Sequence, residues 1–409
     1  MKTYSNLFDK ICTIENFQAA YQNAIKGKMH YREVIEIEKN RDAYLEALLE
    51  EVKSKKYKVS EYTVFNLFTG HKMREIFKLP MRDRIVQHAI MIYCEPIFRE
   101  TFILDTYASI KTRGIHLGLQ RVKKALKKYH YKYCLKLDIH KCYPSLDKEI
   151  LKKKLARKFT DPDLLDLLFK IVDSCEKGVP IGNYTSQYFN NFYFSDFDHW
   201  IKEVKGIKAY FRYCDDMVIL SNSKEELHAM LEEIMGKMKE LNVSLKENYQ
   251  LFPIDSRGIS FLGYIITEDC IKVRKNTKKN FVHKVSKMNF SNPSAKDINV
   301  LGSYWGILVH ADCRHLWKSY MGCSAFKSFM KRYKCSARDV LNKPIRVLRA
   351  YRKYSSGKWY TVMEALVGNL YATIKTTSKY LAVALNAVLP FDTYIIATQR
   401  GYRFNTIVI

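Results

Sequence analysis

The sequence predicts an α+β fold: a helical N-terminal part, a middle built from short strands and amphipathic helices, and a small, mostly β module at the C-terminal end. Three observations predict it. Apolar residues recur with the 3.6-residue period of a helix in several stretches before residue 200. Two compact apolar runs, 133–137 and 209–220, read as strands, and the second is interrupted by two acids as a hairpin tip would be. Beyond residue 336, Val362, Tyr371, Thr373, Ile374, Ile395 and Ile396 sit among turn signals such as Ser355-Ser356-Gly357, Gly368-Asn369 and Gly401.

Taken in order, residues 1–60 read as helical. The clearest helix spans 33–53, where Val34, Ile37, Tyr44, Leu45, Leu48, Leu49 and Val52 form one face among many charges. Residues 61–80 look extended, with Val64, Phe65 and Phe68 before a Gly70 turn and Ile76 and Phe77 after it. The span 83–98 is helical again. A strand at 133–137 ends at Asp138. Helices follow at 148–159 and 163–175, then a loop at 178–182 containing Pro180, then a long aromatic-rich helix at 185–200. The hairpin at 209–220 precedes a charged helix at 223–241 and a strand at 260–266.

The chain has 409 residues, enough for two or three structural units with ample core. Lys and Arg total 69 against 42 Asp and Glu, a net charge of +27, which points to a polyanionic partner. With 29 Tyr and 22 Phe, the basic residues are interleaved with aromatics, a composition suited to phosphate backbone and stacked bases. An AT-rich genome explains part of this bias, but not the deficit of acids. The ten Cys include no Cys-x-x-Cys pair, which argues against a zinc site, and scattered buried thiols fit a reducing compartment. Residues 1–9 do not read as a signal peptide and no run of 18 apolar residues occurs, so the expectation is a soluble cytoplasmic protein with no membrane partner.

The most informative residues are Tyr213-Cys214-Asp215-Asp216. Adjacent acids are poor strand residues, and their repulsion must be offset. A solvent-exposed turn does this with water; a hard divalent cation does it with a bond. Two-metal nucleotidyl transfer requires carboxylates from separate strands to converge on one point. Asp138, closing its own strand, is the other candidate, although an Asp after a strand is by itself an ordinary turn residue.

Leu137-Asp138-Ile139-His140-Lys141-Cys142-Tyr143 resembles the first palm motif of reverse transcriptases, an Asp followed five positions later by Phe or Tyr. Tyr213 to Asp216 resembles their Tyr-x-Asp-Asp, Phe261-Leu262-Gly263-Tyr264 the primer-gripping strand of bacterial members, and Arg74-Glu75-Ile76, Pro80 and 83–88 the fingers segment. The agreement runs over roughly residues 60–320. The resemblance implies a right-hand polymerase with a ferredoxin-like antiparallel palm sheet. Its regions would be N-terminal helices and fingers at 1–130, palm at 131–266, thumb at 267–335 and an accessory β module at 336–409.

For the site, the resemblance implies that Asp138 and Asp215 bind two Mg²⁺ ions, with Mn²⁺ able to substitute. Asp216 is the third acid and the Ile139 carbonyl a further ligand. Tyr143 is the steric gate against a ribose 2′ hydroxyl. Lys72 and Arg74 hold the incoming triphosphate, and Lys246 is a candidate proton donor to pyrophosphate; as surface cations all three would be unremarkable. Lys272, Arg274, Lys275, Lys278 and Lys279 lie in a dense basic run that reads as nucleic-acid contact, the alternative being a solvated helix face. Template RNA, an RNA/DNA heteroduplex and dNTPs are the implied partners.

The loop Ile181-Gly182-Asn183-Tyr184-Thr185-Ser186-Gln187 resembles the group found in diversity-generating retroelements, which has Ser-Gln where other bacterial members have Ser-Pro. In that group the loop touches the templating base and the nascent pair and is linked to misincorporation opposite template adenine, so Ile181 and Gln187 become candidate nucleotide-binding residues; the plain alternative for Gln187 is a helix cap. Asp105-Thr106-Tyr107-Ala108 and Gly114-Ile115-His116 resemble the same group, while Lys111-Thr112-Arg113 departs from it. That group implies a small basic accessory protein as a further partner. Segments 343–345, 376–378 and 389–391 of the tail resemble single-strand-binding β modules. The alternatives are a defence-associated reverse transcriptase, a catalytically silent nucleic-acid-binding relative, and an RNA-dependent RNA polymerase, which Tyr143 disfavours.

Overall fold

The computed structural model describes the chain apart from residues 1, 70–71, 290–294, 322–333, 337–343, 356–357, 368–369, 377–390, 399–400 and 407–409, and from residue 321 onward it describes backbone alone. The chain divides into two compact units, Met1–Leu262 with Ile266–Asp269, and Gly263–Ile265 with Cys270–Ile409.

The first unit holds seven strands among its described residues: β1 (Thr63–Thr69), β2 (Lys72–Lys78), β3 (Tyr133–Asp138), β4 (Tyr210–Tyr213), β5 (Asp216–Ser221), β6 (Gln250–Pro253) and β7 (Ile259–Phe261). β1 and β2 form an antiparallel hairpin whose last described pair is Thr69 with Lys72; the expected Gly70 turn lies outside the described residues. The central sheet has the order β4-β5-β3-β6 with antiparallel neighbours. Helices separate β3 from β4 and one helix, Lys224–Glu240, separates β5 from β6. This is a β-α-β-β-α-β order. It makes β3 and β5, which carry Asp138 and Asp216, adjacent central strands.

Alternation along these strands explains why they bury so well. Leu135, Leu137, Tyr210, Met217 and Ile219 enter the main core with Ile85, Ala89 and Phe98 of the helix Met81–Glu100 and Phe189 of the helix Tyr184–Tyr193. Cys134, Phe211, Val218 and Leu220 occupy the intervening positions and are also buried. With both faces covered, any polar group placed there needs a partner.

Three expected elements differ. The helix expected over 33–53 is two, Arg32–Glu38 and Arg41–Lys53, separated where Asn40 takes φ −147° and ψ 52°; Asn favours helix starts over helix interiors. The long helix expected over 185–200 runs Tyr184–Tyr193, then Ser195–His199, then a π-turn at Trp200–Val204. The strand expected over 260–266 breaks into β7 and β8 (Tyr264–Ile266) because Leu262 and Gly263 turn with φ 53° and 89°.

The second unit takes in most of β8, then β9 (Ile271–Val273) and the helices Lys275–Val285, Ala295–Leu308 and Arg314–Met321. Six strands follow: β10 (Lys334–Ser336), β11 (Pro344–Ser355), β12 (Lys358–Val367), β13 (Leu370–Thr376), β14 (Phe391–Thr398) and β15 (Gly401–Thr406). They form one sheet in the order β10-β13-β12-β11-β14-β15, with only the β10–β13 pair parallel. The turn signals at 356–357 and 368–369, and most of the segments 343–345, 376–378 and 389–391, lie outside the described residues.

Candidate active site

The site is built on the ends of β3, β4 and β5. In the β3–β5 ladder Asp138 pairs with Asp216, and in the β4–β5 ladder Tyr213 pairs with Asp216. The hairpin loop is therefore Cys214 and Asp215 alone. Asp215 sits at the tip, and Asp216 opens β5 rather than sharing the tip, a correction to the expected two-acid turn. Cys214 takes φ 57°, a left-handed conformation that costs a residue with a Cβ on the order of 1–3 kcal/mol. One backbone contact seats the turn, the Ile139 amide donating to the Asp215 carbonyl at 3.2 Å; on β3 the Lys246 amide donates to the Asp138 carbonyl at 2.8 Å.

Electrostatics follow from burial and from like charges meeting. Burial, then the charge of Asp138, raises the Asp215 carboxyl above the ordinary range; Lys246 and Arg74 oppose this. Burial pushes Asp216 up to about 6 against the pull of Lys136. Lys136 Nζ lies 3.2 Å from Asp216 Oδ2 and 3.1 Å from Oδ1, and also donates to the Ser260 carbonyl. Lys246 Nζ donates to Asp138 Oδ1. Lys136 escaped the sequence reading, although strand alternation puts it on the face of Asp138, diagonal to Asp216.

Tyr143 lies in the short helix Cys142–Ser145 that follows β3. Its hydroxyl accepts from the Cys214 thiol at 3.3 Å, so the candidate gate is tied to the turn that carries Asp215. Burial, then the neighbouring Cys214, raises the phenol well above its usual value. Asn190 joins the two segments from behind: it accepts from Cys142 Sγ at 2.9 Å and donates to Cys214 Sγ at 3.2 Å.

The loop 178–182 bridges the gate and the hairpin. The Val179 amide donates to the Tyr143 carbonyl at 3.0 Å, and the Ile181 carbonyl accepts from the Phe77 amide on β2 at 2.8 Å. Two glycines permit this. A Cβ on Gly178, at φ 59°, would strike the Tyr143 carbonyl, and one on Gly182, at φ 136°, would strike the Phe77 carbonyl. Ile181 is half-buried and Gln187 exposed. Gln187 lies inside the helix Tyr184–Tyr193 and does not cap it. Gln87 does: its Oε1 accepts from the amides of Tyr184 at 2.9 Å and Thr185 at 3.4 Å. Gln87 is far away in sequence, and the fingers segment 83–88 that contains it does not announce this cap.

Of the expected phosphate-binding cations, Arg74 is exposed on β2 and its charge reaches Asp215. Lys72 opens β2, but its side chain lies outside the described residues. Lys272, Arg274, Lys275, Lys278 and Lys279 belong to the second unit, on β9 and at and within the start of the helix Lys275–Val285. Lys272, Lys275, Lys278 and Lys279 are exposed and Arg274 is half-buried.

The donor chemistry suits a hard divalent cation. Asp138, Asp215 and Asp216 lie at the neighbouring ends of β3, β4 and β5, and Asp216 Oδ1 is buried without a hydrogen-bond partner, 3.1 Å from Lys136 Nζ. Among the described residues no three His, Cys, Asp or Glu side chains stand in ligand geometry together, and lysines pair with Asp138 and Asp216. Lysine side chains are long and rotatable, so they yield to a cation without moving the strands.

Carboxylates from two adjacent strands and from the turn beside them, on a β-α-β-β-α-β sheet with a tyrosine hydroxyl hydrogen-bonded to that turn, suit two-metal nucleotidyl transfer. Residues 69–266 match the family model described as reverse transcriptase (RNA-dependent DNA polymerase). Protein YkfC of Escherichia coli (strain K12) is 24% identical over 239 residues, covering 47% of this chain and 63% of that protein. Retron Ec73 reverse transcriptase of Escherichia coli is 25% identical over 198 residues, covering 45% of this chain and 60% of that protein. The chain thus spans less than two thirds of these relatives. Among solved structures, apo telomerase from Candida tropicalis superposes with a TM-score of 0.43 at 12% identity, covering 67% of this chain and 59% of that one. Telomerase from Candida albicans in complex with a TWJ fragment of telomeric RNA gives 0.42 at 11%, covering 68% and 60%. No helix among the described residues is long and apolar enough to cross a membrane.

Proposed function

We propose that the chain is an RNA-directed DNA polymerase that copies a template RNA into cDNA, in the cytoplasmic setting of a diversity-generating retroelement. The observation that carries the polymerase reading is the pairing of Asp138 with Asp216 beside the Asp215 turn, inside the matched span. The retroelement setting is supported by the Ser186-Gln187 loop end and by the docking of that loop on both Tyr143 and β2.

Asp138, Asp215, Asp216 and the Ile139 carbonyl would hold two Mg²⁺ ions. Such ions activate a primer 3′ hydroxyl and stabilise charge on the transferring phosphoryl. The chain's own groups do the rest. The bridge between Ile139 and Leu245 runs through the flanking residues, which leaves the Ile139 carbonyl out of it. Tyr143, tied to Cys214, closes the space beneath the sugar. Arg74 brings positive charge toward Asp215 for a triphosphate to meet. Lys246, already on Asp138, is placed to give a proton to the departing pyrophosphate.

Primer extension on an RNA template with dNTPs and Mg²⁺ tests the reading. DNA product of template-encoded sequence is expected; absence of product with Mg²⁺ and with Mn²⁺ overturns it.

A further inference from the structure

We propose that Arg212 is the positioning residue of the catalytic turn, fixing the Cys214 carbonyl and so the backbone direction from which Asp215 projects; this rests on the polymerase reading and deepens it. Arg212 on β4 and Asp198 in the helix Ser195–His199 are both fully buried. Arg212 Nε donates to Asp198 Oδ1 at 2.8 Å and Nη2 to Oδ2 at 2.6 Å, a bidentate pair. Nη1 donates to the Cys214 carbonyl at 3.1 Å and to Asn191 Oδ1 at 3.3 Å, and Nη2 to the Asn191 carbonyl at 3.4 Å. A guanidinium has five N–H donors, and each has a partner.

The base of this clamp is itself held. Asp198 also accepts from the Tyr210 hydroxyl at 2.7 Å and from Thr106 Oγ1 at 3.1 Å. The Arg212 amide donates to the Asp105 carbonyl at 2.9 Å, and its carbonyl accepts from the Tyr107 amide at 3.1 Å. A buried ion pair is seldom needed for stability, since apolar residues of the same volume fill such a place as well. Here one of its bonds runs out to a turn that needs holding. Cys214 is left-handed and carries a Cβ, so its conformation is not the relaxed one.

Asp215 lies between two peptide planes. The plane before it, through the Cys214 carbonyl, is held by Arg212. The plane after it, through the Asp215 carbonyl, is held by the Ile139 amide of the neighbouring strand. With both planes fixed, the Asp215 carboxylate keeps its place relative to Asp138. A lysine at 212 keeps the charge against Asp198, but with three donors on one nitrogen it cannot also reach the turn.

The test is primer extension by Arg212→Lys, titrated with Mg²⁺ and with dNTP, beside Leu168→Ala as a core variant of comparable loss in Tm. Leu168 is buried in the helix Pro162–Asp173. Arg212→Lys is expected to lower kcat roughly 10- to 100-fold and to raise the half-saturating Mg²⁺ several-fold, with the KM for dNTP little changed. Leu168→Ala is expected to keep both wild-type values below its Tm. If Arg212→Lys does not fold, isosteric Asp198→Asn, which weakens the grip on Arg212, is read the same way. Wild-type kcat and Mg²⁺ midpoint in a folded variant, or changes equal to those of Leu168→Ala, overturn the positioning role while leaving the polymerase reading intact. A wild-type chain that extends no primer overturns both.

Discussion

Asp138 and Asp216 stand directly opposite one another across β3 and β5, and each is held by its own lysine, Lys246 on Asp138 and Lys136 on Asp216. Opposed like charges on a sheet repel, and ammonium groups offset that repulsion until something more highly charged arrives. The lysines also mark the two sides of the site: Lys246 follows the strand pairing of Ile139 with Leu245, and Lys136 reaches back to Ser260.

Among the described residues no lysine pairs with Asp215 in this way, and its carboxyl is raised by burial and by Asp138. Asp215→Asn keeps the size and removes the charge. Primer extension should fall by orders of magnitude while Tm holds or rises slightly. Wild-type-like synthesis by the folded variant would remove Asp215 from the chemistry.

Asp216 predicts a pH dependence. In the folded chain its carboxyl titrates at about 6, against an ordinary 3.8. Between those values the folded state holds a proton that the unfolded state has released. The stability from this group is complete below about 3.8 and is lost as pH rises through about 6, an effect on the order of 3 kcal/mol. In EDTA, the Tm of wild type relative to Asp216→Asn should therefore fall between pH 4 and pH 7 and then level off. At pH 7, the proposed metal site predicts that Mg²⁺ restores wild type more than the variant, since a carboxylate is the stronger ligand for a hard cation. Parallel Tm curves for the two proteins across this range would contradict the burial argument.

Tyr143→Ala should admit ribonucleotides. The ring packs behind Cys214 by a thiol–phenol hydrogen bond of 3.3 Å, so removing it opens space beside the turn without cutting the sheet. The ratio of ribonucleotide to deoxynucleotide incorporation is the measurement. An unchanged ratio in an active variant would assign Tyr143 to packing alone.

Much of this site was legible because strands have a period of two and the acids interrupt it. Asp138 and Tyr213 to Asp216 stand out against apolar neighbours, and five positions link Asp138 to Tyr143. Lys136 is equally accessible through alternation, which puts it on the face of Asp138. The roles of Gln87 and Asp198 were not legible, because each acts on a residue brought near only by the fold: Gln87 caps a helix that starts at Tyr184, and Asp198 meets Arg212 from a different element; Arg212 lies two residues from Cys214, but its hold on Asp198 and Asn191 is likewise set by the fold. The helix breaks at Asn40 and after Tyr193 were missed for a related reason. The apolar period continues through both, and only the main chain departs from it.

Binding to RNA or to primer–template duplex should weaken steeply with salt, because each phosphate that a cation neutralises releases counterions. Lys275, Lys278 and Lys279 are exposed on one short stretch of helix. Replacing all three by Gln should shallow the slope of log affinity against log salt by about one for each phosphate no longer neutralised. An unaltered slope would leave the run as a solvated face.

The segment 178–187, a loop running into the first turn of the helix Tyr184–Tyr193, supplies the sharpest test of the retroelement setting. Its geometry couples three places: Tyr143 through Val179, β2 through Ile181 and Gly182, and the exposed Gln187 one helical turn further on. Gly182→Ala places a methyl against the Phe77 carbonyl and strains a φ of 136°, so the loop must leave β2. Small displacements there change how matched and mismatched pairs reach the reactive geometry. The wild-type enzyme, with any accessory protein supplied, should misincorporate opposite template adenine far more often than opposite the other bases. Gly182→Ala, Ile181→Ala and Gln187→Ala should each alter that adenine-specific rate more than they alter total extension. Sequencing of cDNA made in vitro measures both quantities at once. A uniform error spectrum in the wild type would favour the defence-associated alternative, because the loop would then have no adenine-specific role for these substitutions to remove.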